Sequence, residues 1–158
     1  MKRLSTLHGS QQHEFAASAI RLGIRLAESE QTLNRYVNDC IGFRMEPEVM
    51  LVADEHFAFG TADAIKYLRP HGDRRGLLKI FDLKTGETPT SFVQLVIYAA
   101  FFCIEYDVKP MDIDYEFRIY QSDDIKIFIP DLDDIVKAYS TIVNRIRRIY
   151  DLQREVSL

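Results

Sequence analysis

The stretch "FGTADAIKYLRPHGDRRGLLKIFDLKTGE", residues 59–87, decides how the chain is read. "HFAFGTADAIKYL" (56–68) and "LLKIFDLKTG" (77–86) are apolar strand candidates, joined by "RPHGDRRG", a loop with one proline and two glycines. Three charges interrupt the apolar pattern: Asp63 in the first strand, Asp82 and Lys84 in the second. A carboxylate buried without a partner costs several kcal/mol, so these charges need a reason to be there. Side chains alternate along a strand, which puts Ile80, Asp82 and Lys84 on one face, and Phe57, Phe59, Asp63 and Ile65 on one face of the preceding strand. If the strands pair, Asp63 and Asp82 point to the same side. Two such carboxylates repel unless a cation stands between them. Magnesium takes oxygen ligands, often only one or two carboxylates. A lysine two residues beyond a metal-binding aspartate lies roughly 7 Å further along the strand, within reach of a phosphate or a water. An ordinary strand-end salt-bridge cluster accounts for the same three residues.

Outward from the hairpin, "PEVMLVA" (47–53) is another strand candidate, with Asp54-Glu55 as a turn, so residues 47–86 read as a three-stranded meander. Residues 10–31 read as a helix, with Phe15, Ala16, Ala19, Ile20, Leu22, Leu26 and Ala27 on one face. "TLNRYVNDCIGF" follows as a short helical link. After the meander, Pro89 and Thr90 open a helix that runs to about Tyr106 and is apolar nearly all round, as suits a helix covered on more than one side. "MDIDYEFRIYQ" alternates, with Ile113, Tyr115, Phe117 and Ile119 inward and Asp114, Glu116 and Arg118 outward. "SDD" turns the chain into "IKIFI". After Pro130 a last helix starts with Asp131, Asp133 and Asp134 and ends with Arg145, Arg147 and Arg148, the charge order a helix dipole favours. The expected order is α-β-β-β-α-β-β-α, an α/β fold in one domain spanning residues 1–158.

Bulk properties narrow the function classes. The chain has 158 residues, 47% hydrophobic and 28% charged, enough for one core and too apolar for disorder. A net charge of −4 argues against a generally basic nucleic-acid coat but leaves room for a local basic groove. "MKRLSTLHGSQQHEF" lacks the apolar core of a signal peptide, and "LVIYAAFFCI" is too short to span a bilayer. Cys40 and Cys103 form neither a CxxC pair nor a disulfide framework, which suits a reducing cytoplasm with Cys103 in the core.

"GTAD", then "DLKTG" some twenty residues later, then "QLVIY", resembles the PD-(D/E)XK nuclease superfamily, specifically the RecB-type branch that includes phage-encoded exonucleases. That branch carries a helical histidine, a G-x-x-D strand, a D-x-K strand and a Q-x-x-x-Y helix in this order. Here these are His13 in "GSQQHEF", Gly60 to Asp63, Asp82 to Lys84, and Gln94 to Tyr98, over residues 9 to about 106. The proline of the superfamily's name is absent. So are the four cysteines that hold an iron–sulfur cluster in some members, and no cluster is expected. The resemblance implies a restriction-endonuclease-like core, a central mixed sheet flanked by helices. It further implies hydrolysis of DNA phosphodiesters with Mg2+ or Mn2+ held by His13, Asp63, Asp82 and the Leu83 backbone carbonyl. Lys84 would orient the attacking water and balance charge, while Gln94 and Tyr98 line the site and contact the lysine or the DNA backbone. Such a protein acts in phage or bacterial DNA recombination and repair, in the cytoplasm, as a ring of subunits or with a recombination or replication partner.

Each position has a plainer reading. His13 can be a satisfied core histidine, Lys84 a partner of Glu87, and Gln94 and Tyr98 the polar rim of a core helix. Leu83 reads as core by its side chain, Glu14 as solvated, and Glu48 as either a site acid or a strand-entry charge. Arg69, His71, Arg74 and Arg75 read as a solvated loop or as phosphate contacts, and Arg145, Arg147 and Arg148 as a phosphate track or a dipole complement. The expected activity is that of an exonuclease. Alternatives are a structure-specific endonuclease and an inactive nucleic-acid- or protein-binding subunit of the same fold.

Overall fold

A computed structural model describes the backbone of residues 2–157 and the side chains of residues 9–157. The polar stretch read above as lacking a leader falls, over residues 1–8, outside the described side chains. The elements are α1 (Lys2–Leu22), α2 (Thr32–Gly42), β1 (Glu46–Asp54), β2 (Ala58–Leu68), β3 (Gly76–Leu83), α3 (Val93–Glu105), β4 (Ile113–Gln121), β5 (Asp124–Phe128) and α4 (Leu132–Val156), with a single 3-10 turn at Pro110–Asp112. The strands form one mixed sheet in the order β1-β2-β3-β4-β5. Only the β3–β4 pair is parallel, because α3 carries the chain back across the sheet between them. Four α-helices flank the sheet, so the fold is α/β with a central mixed sheet.

Two apolar clusters cover the two faces. One gathers Leu78, Ile80, Phe117 and Ile119 under α3 and α4, with Leu95, Cys103 and Ile135. The other gathers Ala64, Phe81, Leu83 and Tyr120 under α1 and α2, with Ala16, Val37 and Cys40. Each fully buried large side chain contributes about 1.5–3 kcal/mol of transfer free energy. The expected alternation of β4 holds for Ile113, Tyr115, Phe117 and Ile119, all buried. Arg118 differs from its outward assignment: the opposite face of β4 is roofed by α2, where the guanidinium lies 4.8 Å from the Phe43 ring centroid, 4.9 Å from that of Phe81, and 3.8 Å from Asp39.

The N-terminal helix ends nine residues earlier than expected. Gly23 adopts φ 67, its N–H donates to the Ile20 carbonyl at 3.1 Å, and the Ile24 N–H donates to the Ala19 carbonyl at 2.9 Å. This is a Schellman stop, which a residue with a Cβ enters at a cost. The apolar periodicity through Leu26 hid it, and Phe15 and Leu22, assigned to the core face, are 52% and 72% exposed. The expected link is a full helix, α2, whose first N–H groups are capped from a distance. The Asp123 carboxylate accepts from the Thr32 N–H at 2.9 Å and from the Thr32 hydroxyl at 3.0 Å. Ser122 and Asp123, at φ 50 and 60, form the two-residue loop between β4 and β5.

Candidate active site

The β2–β3 ladder runs from Leu68↔Leu77 to Ala64↔Phe81 and ends there. The next opposed positions are Asp63 and Asp82, where the strands part. The β1–β2 ladder is interrupted at the same level: Pro47 pairs Ala64 and Val49 pairs Ala62, leaving Glu48 and Asp63 unpaired between them. Glu48 sits at φ 50, a left-handed backbone that costs a non-glycine residue of order 1–3 kcal/mol. Across this irregularity β2 rotates its faces, with Ala62 in the α3 cluster, Ala64 in the α1–α2 cluster and Ile65 back in the α3 cluster. The single-face assignment of Phe57, Phe59, Asp63 and Ile65 is therefore corrected: strict alternation fails at a ladder break. Asp63 stands at the rotation itself, with its carboxylate free to turn into the gap between the strands.

There the Asp63 carboxylate accepts from the Leu83 N–H at 2.8 Å and lies 3.5 Å from His13 Nε2. The same Nε2 donates to the Leu83 carbonyl at 2.8 Å, and His13 Nδ1 donates to the Gly9 carbonyl at 2.9 Å. Both ring nitrogens face carbonyl oxygens, an arrangement that favours the doubly protonated ring. Consistently, the Asp63 carboxylate beside it raises the His13 pKa to about 9 against the opposing effect of burial. Burial opposes ionisation of Asp63 too, but the hydrogen bonds from His13 and from the Leu83 N–H hold its carboxyl below the usual carboxylate range.

On the α3 side, Asp82 is 4% exposed. Burial first, then the charge of Asp63, push it up to about 7, and Lys84 only partly offsets them. Lys84 Nζ stands 3.0 Å from the Asp82 carboxylate and donates to Gln94 Oε1 at 3.2 Å. Gln94 Nε2 in turn donates to the Tyr98 hydroxyl at 2.8 Å, one turn along α3. A chain of polar contacts thus runs His13–Asp63–Leu83 on one side and Asp82–Lys84–Gln94–Tyr98 on the other. All seven residues singled out from the sequence meet here. His13 is half-buried against Asp63 and the Leu83 carbonyl rather than in the apolar core, and Lys84 pairs with Asp82 rather than Glu87. Leu83 has its side chain in the core and both of its peptide groups in the site.

Other candidates fall elsewhere. Glu48 is engaged by Arg21 at 3.2 Å on the α1 side, and Glu14 is exposed, as read. The loop carrying Arg69, His71, Arg74 and Arg75 is at the far end of the β2–β3 hairpin, about 20 Å along the strands from Asp63. There Arg74 bonds the Arg69 carbonyl and Arg75 pairs with Asp114. Sequence reasoning passed over Gln121 and gave Gly60 a place in the G-x-x-D motif without a physical role. The Gln121 amide donates to the Gly86 and Thr88 carbonyls at 2.7 and 2.8 Å and so ties down the loop that follows Lys84. Its signal was present, since it continues the inward series 113, 115, 117, 119. Gly60 lies against Tyr98, whose ring would be 2.9 Å from a Cβ at that position.

The donors available for a cation are two carboxylates, one imidazole and one peptide carbonyl. They are bonded to one another and to Lys84, and among the described residues no group of three or more His, Cys, Asp or Glu is gathered into a shell. No helix among the described residues is long and apolar enough to cross a membrane. No family model matches the chain, and no curated protein matches it. The solved structure of SSO0001 is similar to it at 14% identity with a TM-score of 0.37, over 71% of this chain and 56% of that one. The chain thus spans little more than half the length of that protein.

Proposed function

We propose that this protein is a divalent-metal-dependent nuclease that hydrolyses DNA phosphodiester bonds from strand ends. The observation that carries the reading is the opposed pair Asp63 and Asp82 at the broken end of the β2–β3 ladder, with Lys84 held against one acid and His13 against the other. An acid pair, Asp82 buried and Asp63 partly exposed, in which Asp82 and His13 both have raised pKa values, is chemically suited to exchange protons for a hard cation. Asp63, Asp82, His13 and the Leu83 carbonyl would hold Mg2+ or Mn2+, and the imidazole nitrogen moves the preference toward manganese. Such an ion supplies a water of lowered pKa and polarises a phosphoryl oxygen.

The side chains do the positioning. Gln94, fixed by the Tyr98 hydroxyl, aims the Lys84 ammonium into the gap beside Asp82. There Lys84 orients the attacking water and balances the charge that develops on the phosphate. Leu83, anchored by Asp63, keeps its carbonyl turned toward His13. Among the described residues every helix packs on the sheet, on another helix or on the 3-10 turn. Among the described residues no separate element is left for reading base edges, which favours action at ends over sequence-specific cutting. The test is incubation with end-labelled linear and with closed circular DNA, each with manganese or EDTA. Manganese-dependent release of short products from linear DNA alone is expected. Linearisation of circles at the same enzyme concentration would replace the exonuclease with an endonuclease, and no cleavage of either substrate would overturn the proposal.

A further inference from the structure

The two edges of the sheet are finished differently. At the β1 edge Pro47 lacks an N–H, Glu48 stands at φ 50, and the register shifts between Val52 and Asp54. Each of these spoils an edge for a further strand. The β5 edge carries none of them before Pro130. The Tyr120 carbonyl accepts from the Lys84 N–H at 2.9 Å and so points to the β3 side of β4. Alternation then turns the peptide groups of Phe117, Ile119 and Gln121 toward β5, where their partners are Phe128, Lys126 and Asp124. The peptide groups of Ile125 and Ile127, and of Ile129 one residue beyond the strand, are left facing outward. No hydrogen bond joins them to another element among the described residues.

The side chains on this edge sort by face. Ile125 packs against the cluster under α1 and α2. Ile127 and Ile129 follow it on that face by alternation, 58% and 77% exposed. Phe128 lies on the other face, stacked on Phe92 with ring centroids 4.4 Å apart, and Lys126 shares that face. Phe128 and Asp134 line one cleft at the start of α4. Neither Lys126 nor Asp134 is in an ion pair among the described residues.

These features complement themselves. Two copies of β5 laid antiparallel, with a two-fold axis through residue 127, set Ile127 against Ile127 and Ile125 against Ile129. Every outward position then pairs isoleucine with isoleucine, and each pair exchanges two N–H···O bonds. On the other face Lys126 of one copy meets the Phe128 ring of the other, beside the Asp134 that lines the same cleft. An axis through Lys126 would set that lysine against itself, and an axis through Phe128 would set Ile125 against Asp131. A strand of another protein can use the outward peptide groups, but β5 itself matches both the isoleucine series and the charges.

We infer that two copies of this chain pair antiparallel through β5 and join their five-stranded sheets into one. The inference does not rest on the nuclease reading. So short an edge buries less than a permanent dimer needs, so the association is reversible. Asp82 lies level with Lys126 through Ile119, and the axis therefore sets the two acid pairs about 25 Å apart on the shared sheet.

The test is sedimentation velocity of the full chain in EDTA, from about 2 to about 200 µM, where a monomer should give way to a dimer with rising concentration. Ile127→Asp sets two carboxylates against each other at the axis and should raise the dissociation constant at least about tenfold. Ile127→Cys should give a covalent dimer on mild oxidation, because position 127 faces itself with about 5.5 Å between Cα atoms. Ile129→Cys should not, although residue 129 is the more exposed, because its two copies stand about 14 Å apart. Cys40 and Cys103 are buried and stay out of the reaction. Both side chains changed are exposed, and thermal melting of each variant checks that the fold is kept. A monomer throughout the range, a dimer whose dissociation constant Ile127→Asp leaves within twofold, or equal cross-linking from positions 127 and 129 would overturn the inference.

Discussion

Replacing Asp82 by asparagine should stabilise the protein, and by an amount that grows with pH. In the unfolded chain an aspartate titrates near 3.9. In the fold, burial and the neighbouring Asp63 hold Asp82 at about 7. Between those values the folded protein binds a proton that the unfolded chain has released, so stability falls as pH rises from about 4 to 7 and is level above that. The rise from about 4 to about 7 corresponds to about 4 kcal/mol once Asp82 is ionised, and more than half of this develops between pH 5 and pH 8. An asparagine side chain cannot ionise, so the variant escapes the whole penalty. It also loses the 3.0 Å contact with Lys84, whose attraction for the ionised carboxylate is already contained in the value of about 7. Urea denaturation of both proteins at pH 5, 6.5 and 8, in EDTA, measures the difference directly. The advantage of the variant should widen steadily across the three. A stability difference that stays within about 0.5 kcal/mol from pH 5 to pH 8 would show that Asp82 ionises freely and that the two acids do not confront one another.

Lys84→Ala should reduce cleavage at least a hundredfold while manganese affinity, read by calorimetry, changes less than threefold, because the ammonium contacts Asp82 without being a donor to the ion. Titration with manganese at pH 7.5 in two buffers of different ionisation enthalpy should show close to one proton fewer released by His13→Ala than by the parent, since the imidazolium, with its pKa raised to about 9, must give up a proton to bind metal. Equal proton release would remove His13 from the site. Gly60→Ala should cost about 1–3 kcal/mol by crowding the Tyr98 ring, and most of that cost should vanish in a Tyr98→Ala background. A penalty independent of residue 98 would place the strain elsewhere.

Much of the site was legible because its residues lie on elements with strong local signals. Asp82 and Leu83 sit on a strand whose alternation survives intact, Lys84 directly follows its last residue, and Gln94 and Tyr98 lie on a helix where a four-residue spacing means one face. Asp63 was harder. Its strand leaves strict alternation at the break opposite Glu48, and no local pattern announces a residue held at φ 50.

The sequence by itself determined the α/β order, the inward series of β4, the N-terminal aspartates of α4 and the set of polar residues that the core had to accommodate. These depend on periodicity and charge within a few neighbouring residues. The tertiary structure decided three further things. It set where α1 stops, because one left-handed glycine outweighs an apolar pattern that continues past it. It capped α2 with Asp123, 91 residues away from Thr32. It made His13 hold its proton more tightly and Asp82 reluctant to ionise, because each answers to a partner brought close only by folding: His13 to Asp63 and the Leu83 carbonyl, 70 residues away from His13 for the latter, and Asp82 to the burial that surrounds it and to Asp63 across the parted strands.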